Sequence, residues 1–516
     1  MKSRSKDVDN LFLILTIVFS LFVRIFPILR SNFPLVDGGM FFSMIEDLQA
    51  ANYFLPNFMS YNHQQIFYAY QPFALYFTGV VNSFTGIPLL KLIQWQPVVI
   101  NVLTLAVVYC FAKRITGTST KGLLATFIFS FTPNAYIWQI VGGGLTRSFG
   151  ALFAFLFSHF AYRIFHDKDE SVFGLLGAIL SGALVVLSHP EWALQAVFSG
   201  FLFFVLWGRD RLCVRKSALI VLAILALTSF WWITMIQRFG IQTFLNASFA
   251  TDNRLLFFLP FFSLQYTGES ITFIAVFGLI GAFVAIAQRK YFLLIWGLGS
   301  FLVDPRGGYP FSLMPFSILA MLSITELIAP FILKSMNSEE NPWWNFLDLP
   351  VGKLFFGFFA VFCISNAFQS SNKVSEQFLS IEERQAIIWV KVNSGHDDKF
   401  LVLGSQVNPI HSSLIEWFPA LADRQSITTV QGQEWFNKYH SAIDIFSQYQ
   451  QCLEEDILCI QEINKKSGLQ ENCIFISFQN PYQKPENNSL YLSLIRSSKY
   501  SQVFSSSVVK IFCQKE

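Results

Sequence analysis

Eleven runs of apolar residues, near 11–29, 94–112, 121–136, 145–165, 171–188, 192–207, 217–236, 271–288, 290–303, 311–334 and 353–370, constrain this chain more than any other feature. Several are shorter than the ~20 residues a helix needs to cross a bilayer at right angles. Hydrophobic residues still make up 53% of the 516, with 60 phenylalanines, while charged residues make up only 13%. A soluble chain needs far more polar surface, so a polytopic α-helical membrane protein of about eleven transmembrane helices is expected. The net charge of +3, with no Lys/Arg block beside stacked aromatics, argues against a nucleic-acid partner. Lys2, Arg4 and Lys6 precede a long apolar run with no small-x-small cleavage site, so residues 11–29 read as a retained first span rather than a secretory signal.

A twelfth run, 72–86, decides the topology of everything after it. If it does not span, sixteen basic residues fall on the cytoplasmic side up to the last span, against six outside: Arg30, Lys91, Arg147, Arg238, Arg254 and Arg306. Making it a span inverts every later loop, so the positive-inside rule favours eleven spans. The expected architecture is a membrane domain over 1–370, with a long external loop at 30–93, followed by an extracytoplasmic α/β domain over 371–516. Within the loop, 72–86 is expected to be re-entrant or interfacial. Met40, Met44 and Leu48 recur at helical spacing beside Phe41 and Ile45, which predicts a helix from Met40 to about Ala50, flat on the membrane surface, with Asp37 near its N-terminus.

In the last 146 residues no apolar run reaches membrane length. Helices near Ile381–Val392 and Leu490–Arg496 and apolar runs at Phe400–Leu403, Cys473–Phe478 and Val508–Cys513 suggest a small α/β layer. Cys452, Cys459, Cys473 and Cys513 all fall here, whereas Cys110, Cys213 and Cys363 lie in spans or a cytoplasmic loop. The pairings Cys452–Cys459 and Cys473–Cys513 suit an oxidising compartment, and four buried free thiols are the alternative.

The polar residues expected on the outer face form a short list: Asp37, Glu46, Asp47, Arg147, His189, Glu191, Asp252, Arg254, Asp304 and Arg306. Each sits at a span end, where a solvated loop residue is the plain reading. Gly142-Gly143-Gly144-Leu145-Thr146-Arg147 opens a span with main-chain amides that can face an anion, although tight helix packing explains the glycines equally well. Ser188-His189-Pro190-Glu191 places an imidazole and a carboxylate in a tight turn at the boundary. In Asp304-Pro305-Arg306-Gly307-Gly308, Arg306 can hold a phosphate through two hydrogen bonds while the glycines let the backbone approach. Arg24 lies inside the first span and must snorkel outward or meet a partner.

A first span with a late Arg, an acidic residue just beyond it, membrane-surface segments, short hairpin spans and a soluble C-terminal domain resemble the GT-C superfamily of polyprenyl-phosphate-dependent glycosyltransferases. Oligosaccharyltransferases, protein O-mannosyltransferases and lipid A aminoarabinose transferases belong there, and the family's Asp or Asp-Glu of the first external loop falls on Asp37. Here Asp-Gly-Gly replaces Asp-Glu and no DxD occurs later in the spans, so a divalent metal has no motif to support it and no cofactor is expected with certainty. GGGLTR, the His-Pro turn and Glu416-Trp417-Phe418-Pro419 look like bacterial members. The resemblance implies inverting sugar transfer from a polyprenyl-phosphate carrier to a glycan, lipid or protein acceptor outside a bacterial plasma membrane. Asp37 would be the general base and His189 and Glu191 would orient a hydroxyl. Arg306, with Arg147 or Arg254, would hold the phosphate, and Asp304 and Glu46 complete the substrate-binding set. A flippase of lipid-linked glycans and a non-catalytic assembly subunit are the competing classes.

Overall fold

The computed structural model describes residues 2–249, 274–334, 346–406, 408–479 and 485–515. Asp252, Arg254 and the start of the expected span 271–288 lie outside them. Among the described residues seven helices are long and apolar enough to cross a membrane: Asp9–Ser31, Leu89–Thr116, Gly144–Phe165, Pro190–Trp207, Arg211–Phe239, Pro305–Leu333 and Pro350–Val374. Val172–Val186, Ala275–Ala287 and Phe292–Val303 are apolar but shorter. Helix length among the described residues thus supports seven of the eleven expected spans and does not confirm the other four. The run 121–136 shows why. Its helix, Ser119–Ser130, has 12 residues, about 18 Å, and every residue from Gly122 to Ser130 is buried against neighbouring helices. Its apolarity serves protein packing rather than lipid.

Arg24 is fully buried and meets partners instead of snorkelling. Its Nε donates to Asn101 Oδ1 at 2.6 Å, and Nη1 donates to the Ser20 and Ser130 carbonyls at 3.1 Å each. The Tyr136 ring lies 4.5 Å from the guanidinium carbon.

The run 72–86 forms a helix, Phe73–Thr85, of 13 residues, about 20 Å and too short to span. It packs against the helix Gly39–Ala50. The apolar face of Gly39–Ala50 forms as the spacing predicts, with Met40, Phe41, Met44, Ile45 and Leu48 all buried. Protein rather than lipid covers that face: it packs on Phe73–Thr85 and on the C-terminal helix Ser413–Ala422. Residues of the 30–93 segment and of the C-terminal region, among them Met44, Tyr61, Tyr68, Phe400, Trp417 and Phe475, share one hydrophobic core.

A small antiparallel pair, β1 (Phe58–Met59) and β2 (Ile66–Phe67), lies in the 30–93 segment. The C-terminal region is built on a five-stranded mixed sheet of β3 (Lys399–Leu403), β4 (Gln425–Ser426), β5 (Cys473–Ser477), β6 (Tyr500–Ser505) and β7 (Val509–Gln514), in the order β4-β3-β5-β7-β6. β3 runs parallel to β4 and β5, while β7 pairs antiparallel with β5 and β6. Both expected disulfides are present, and Cys473 and Cys513 face each other across the β5–β7 ladder.

Candidate functional site

Leu35 bridges to Phe378, and the Val36 amide donates to the Gln377 carbonyl at 2.8 Å. Asp37 then sits between two left-handed residues, Val36 at φ 55° and Gly38 at φ 119°. Positive φ is unfavourable for a β-branched residue, and such strain persists only where the surroundings impose it. Here they do. Asp37 Oδ1 accepts from the Gly143 amide at 2.6 Å and Oδ2 from Arg147 Nη2 at 3.0 Å, while the Gly142 amide donates to the Leu35 carbonyl at 2.9 Å. A Cβ on Gly143 would overlap the Asp37 carboxylate, and one on Gly142 would overlap the Asp37 carbonyl. The anion that the glycine turn faces is thus Asp37 itself, and the two motifs are halves of one structure. Arg147 is correspondingly committed: its Nε donates to the Trp138 carbonyl at 2.8 Å, and its guanidinium lies over the Trp138 ring.

Asp37 is not the cap of the helix that follows. Glu416, from the C-terminal helix Ser413–Ala422, takes that place: its Oε1 accepts from the Gly38 amide at 3.3 Å and the Met40 amide at 3.1 Å. The Tyr61 hydroxyl donates to the Glu416 carbonyl at 2.8 Å, and a Cβ on Gly39 would strike that same carbonyl. Glu416 is 4% exposed, and its Oε2 accepts no hydrogen bond from the described residues. Burial, with the Asp37 charge second, pushes its carboxyl up to about 8 against the pull of the two amides. Glu434, in the turn Gln433–Phe436, is pushed up to about 7 by burial, against its main-chain hydrogen bonds and Arg306.

The two tight turns come together beside these groups. Arg306 Nε lies 3.3 Å from Glu191 Oε1, and the Arg306 side chain remains 49% exposed. Asp304 is a helix cap: Oδ1 accepts from the Arg306 amide at 3.2 Å and Oδ2 from the Gly307 amide at 3.0 Å. Burial, followed by Glu191, pushes its carboxyl up to about 6. The glycine pair serves packing rather than approach of the backbone to a ligand, because a Cβ on Gly307 would lie 2.8 Å from Glu191 Cβ and one on Gly308 would strike the Ser300 carbonyl. His189 is buried, its Nδ1 has no partner among the described residues, and burial lowers its imidazole to about 4, leaving it uncharged at neutral pH. Tyr70 joins the halves. Its hydroxyl lies 3.3 Å from Thr146 Oγ1, burial pushes it up to about 12, and it feels the charges of Arg147, Glu191 and Arg306.

The fold thus gathers Asp37, Arg147, His189, Glu191, Asp304 and Arg306 at one end of the helix bundle. Glu46 is not among them. It is exposed, seven residues or about 10 Å along its helix from Gly39, and feels Lys391, Asp47 and Asp423. Asp47 anchors a loop by accepting from the Ser60 amide at 2.7 Å. Tyr70 and Glu434 were not anticipated from sequence. One signal was available for Glu416 and Glu434: each precedes a tryptophan, and a charge set among bulky apolar residues marks a carboxylate taken into a core.

No protein family matches the sequence, and no curated protein does. Solved structures do. The archaeal oligosaccharyltransferase AglB from Archaeoglobus fulgidus, in complex with an inhibitory peptide and a dolichol-phosphate, superposes with a TM-score of 0.57 at 13% identity, covering 92% of this chain and 70% of its own. ArnT from Cupriavidus metallidurans, bound to undecaprenyl phosphate, gives 0.56 at 13% identity and covers 97% of both chains. The arabinofuranosyltransferase AftD from Mycobacteria gives 0.55 at 12% identity over 98% of this chain and 40% of its own.

Proposed function

Starting from the GT-C fold that this chain shares with those transferases, we propose that it is an integral-membrane glycosyltransferase using a polyprenyl-phosphate-linked sugar on the extracytoplasmic side of a bacterial plasma membrane. Residues 1–370 form its membrane domain and 371–516 its external domain. The observation that carries this reading is the orientation of one carboxylate, Asp37, by the Gly143 amide and Arg147, whose charge is also felt by Glu191 of a second charged pair, Glu191–Arg306. An ionised carboxylate has about four acceptor positions. Two are used here, which fixes the group and leaves acceptor capacity for an incoming hydroxyl.

In the proposed step the acceptor hydroxyl, from a glycan, lipid or protein, attacks the anomeric carbon of the carrier-linked sugar. Its proton passes to Asp37, the bond from the anomeric carbon to the phosphate oxygen breaks, and the phosphate departs with the electron pair. Displacement from the opposite face inverts the anomeric centre. Arg306, half exposed, meets the charge growing on the phosphate, with Arg254 as a second candidate for that task. Arg147 positions Asp37 rather than binding substrate, and His189 and Glu191 orient a hydroxyl. The Glu416 and Glu434 carboxyls, whose affinity for protons burial raises toward neutrality, limit the negative charge that would repel a phosphate donor.

Asp37→Asn tests the proposal. The amide keeps the size and can still accept from Gly143, but it cannot take a proton. Carrier-lipid binding should persist while transfer falls by ~10²–10⁴-fold. A purified variant transferring sugar at the wild-type rate removes Asp37 from the chemistry.

A further inference from the structure

On the C-terminal region, about seven residues beyond Glu416 along the same stretch of chain, three side chains from separate segments converge: His63, His396 and Asp423. His63 Nε2 lies 2.9 Å from Asp423 Oδ1, the imidazole centroids of His63 and His396 are 4.6 Å apart, and the three ligand atoms lie within 4.8 Å of one another. Among the described residues this is the one group of three or more His, Cys, Asp or Glu side chains close enough to hold a metal ion.

We propose that these residues form a structural binding site for a divalent transition-metal ion of the zinc class. Two imidazoles and one carboxylate suit such an ion, with water completing a tetrahedron, whereas magnesium and calcium take oxygen ligands. Binding Asp423 alone would need one imidazole; a second, tilted against the first, has no role in a simple His–Asp hydrogen bond.

The supports behind each ligand are already made. The turn carrying His63 is docked by Asn62, whose side chain donates to the Ser426 carbonyl at 3.1 Å and accepts from the Ser426 amide at 2.7 Å. The turn carrying His396 is closed by the Gly395 amide donating to Asp398 Oδ2 at 2.6 Å. Asp397 Oδ1 lies 3.5 Å from His396 Nδ1 on the same exposed turn. Asp423 ends the helix Ser413–Ala422 in a left-handed conformation. Of the nearby charges, Lys391 opposes a cation, while Glu46 and Asp423, which repel each other, favour one. A bound ion would staple the 30–93 segment to the helix that delivers Glu416 to Asp37.

The test uses the full-length protein, without a histidine tag, stripped with EDTA in detergent and dialysed against zinc. We expect one retained equivalent of zinc by elemental analysis and an unfolding temperature that rises saturably with zinc but not with magnesium or calcium. His396→Ala alters an exposed turn, and Asp423→Asn keeps a residue suited to the left-handed position. Each should lose the zinc and the zinc-dependent rise while unfolding in EDTA at the wild-type temperature. Zinc retained undiminished by both variants, or no zinc retained by the wild type, overturns the proposal.

Discussion

Gly143 carries no side chain because the Asp37 carboxylate occupies the space a Cβ would fill. Gly143→Ala should therefore push the carboxylate off its amide while the bundle still folds, at a cost of about 1–3 kcal/mol for the overpacking. Transfer should fall at least 10²-fold, and unfolding and activity measurements on one preparation separate the two effects. Glu416 makes a prediction of a different kind. A carboxyl raised from its ordinary 4.5 to about 8 favours the fold fully below pH 4.5, and that contribution is lost as pH rises toward 8. Glu416→Gln, which can still accept from Gly38 and Met40, removes the dependence. The stability advantage of wild type over variant should shrink steadily between about pH 5 and pH 8, as followed by chemical unfolding across that range. Asp37 was legible in the sequence because it is the one acidic residue between a greasy helix and a pair of glycines. Its partnership with Gly143 was not, since a Gly-Gly-Gly turn reads the same whether it faces a bound anion or a side chain from elsewhere in the protein. Glu416 as the cap was beyond local reasoning altogether, because 378 residues separate it from the Gly38 amide it holds.

The helix Gly39–Ala50 is the element whose existence was plainest and whose surroundings were not. A 3.6-residue stripe announces a buried face but not what buries it, so a face suited to lipid turned out to rest on Trp417 and its neighbours. The same ambiguity inflated the span count at Ser119–Ser130, where apolar composition means protein contact. The cysteines were more legible, because their placement in one region depends on compartment chemistry rather than on packing. Cys473–Cys513 closes a separation of 40 residues and Cys452–Cys459 one of 7, for which loop-closure entropy gives about 4 and about 2.5 kcal/mol. Cys473→Ser paired with Cys513→Ser should thus destabilise the C-terminal region by about 1.5 kcal/mol more than the paired serine variant at 452 and 459, as read from denaturant midpoints under oxidising conditions.

Among the described residues, ion pairs on the helix bundle fall into two groups. Asp37–Arg147 and Glu191–Arg306 share one, while Lys121–Glu326, Arg114–Asp167, Arg163–Asp169 and Lys168–Asp210 lie on segments assigned to the other by charge bias. Reporter fusions should find Gly117 cytoplasmic and Ser375 extracytoplasmic, and a cytoplasmic reporter active at Ser375 would invert the orientation. The cap that Glu416 places on the Asp37 loop also has a temporal meaning. A ribosome adding about 5–20 residues per second completes Gly38 on the order of 20–80 s before it reaches Glu416. During that interval the helices can enter the bilayer, but the loop around Asp37 has exposed amides and no fixed shape. Assembly of the Asp37 loop therefore completes late in biogenesis, once the region carrying Glu416 has emerged and docked, and a chain that ends before Glu416 leaves the Gly38 and Met40 amides without their cap.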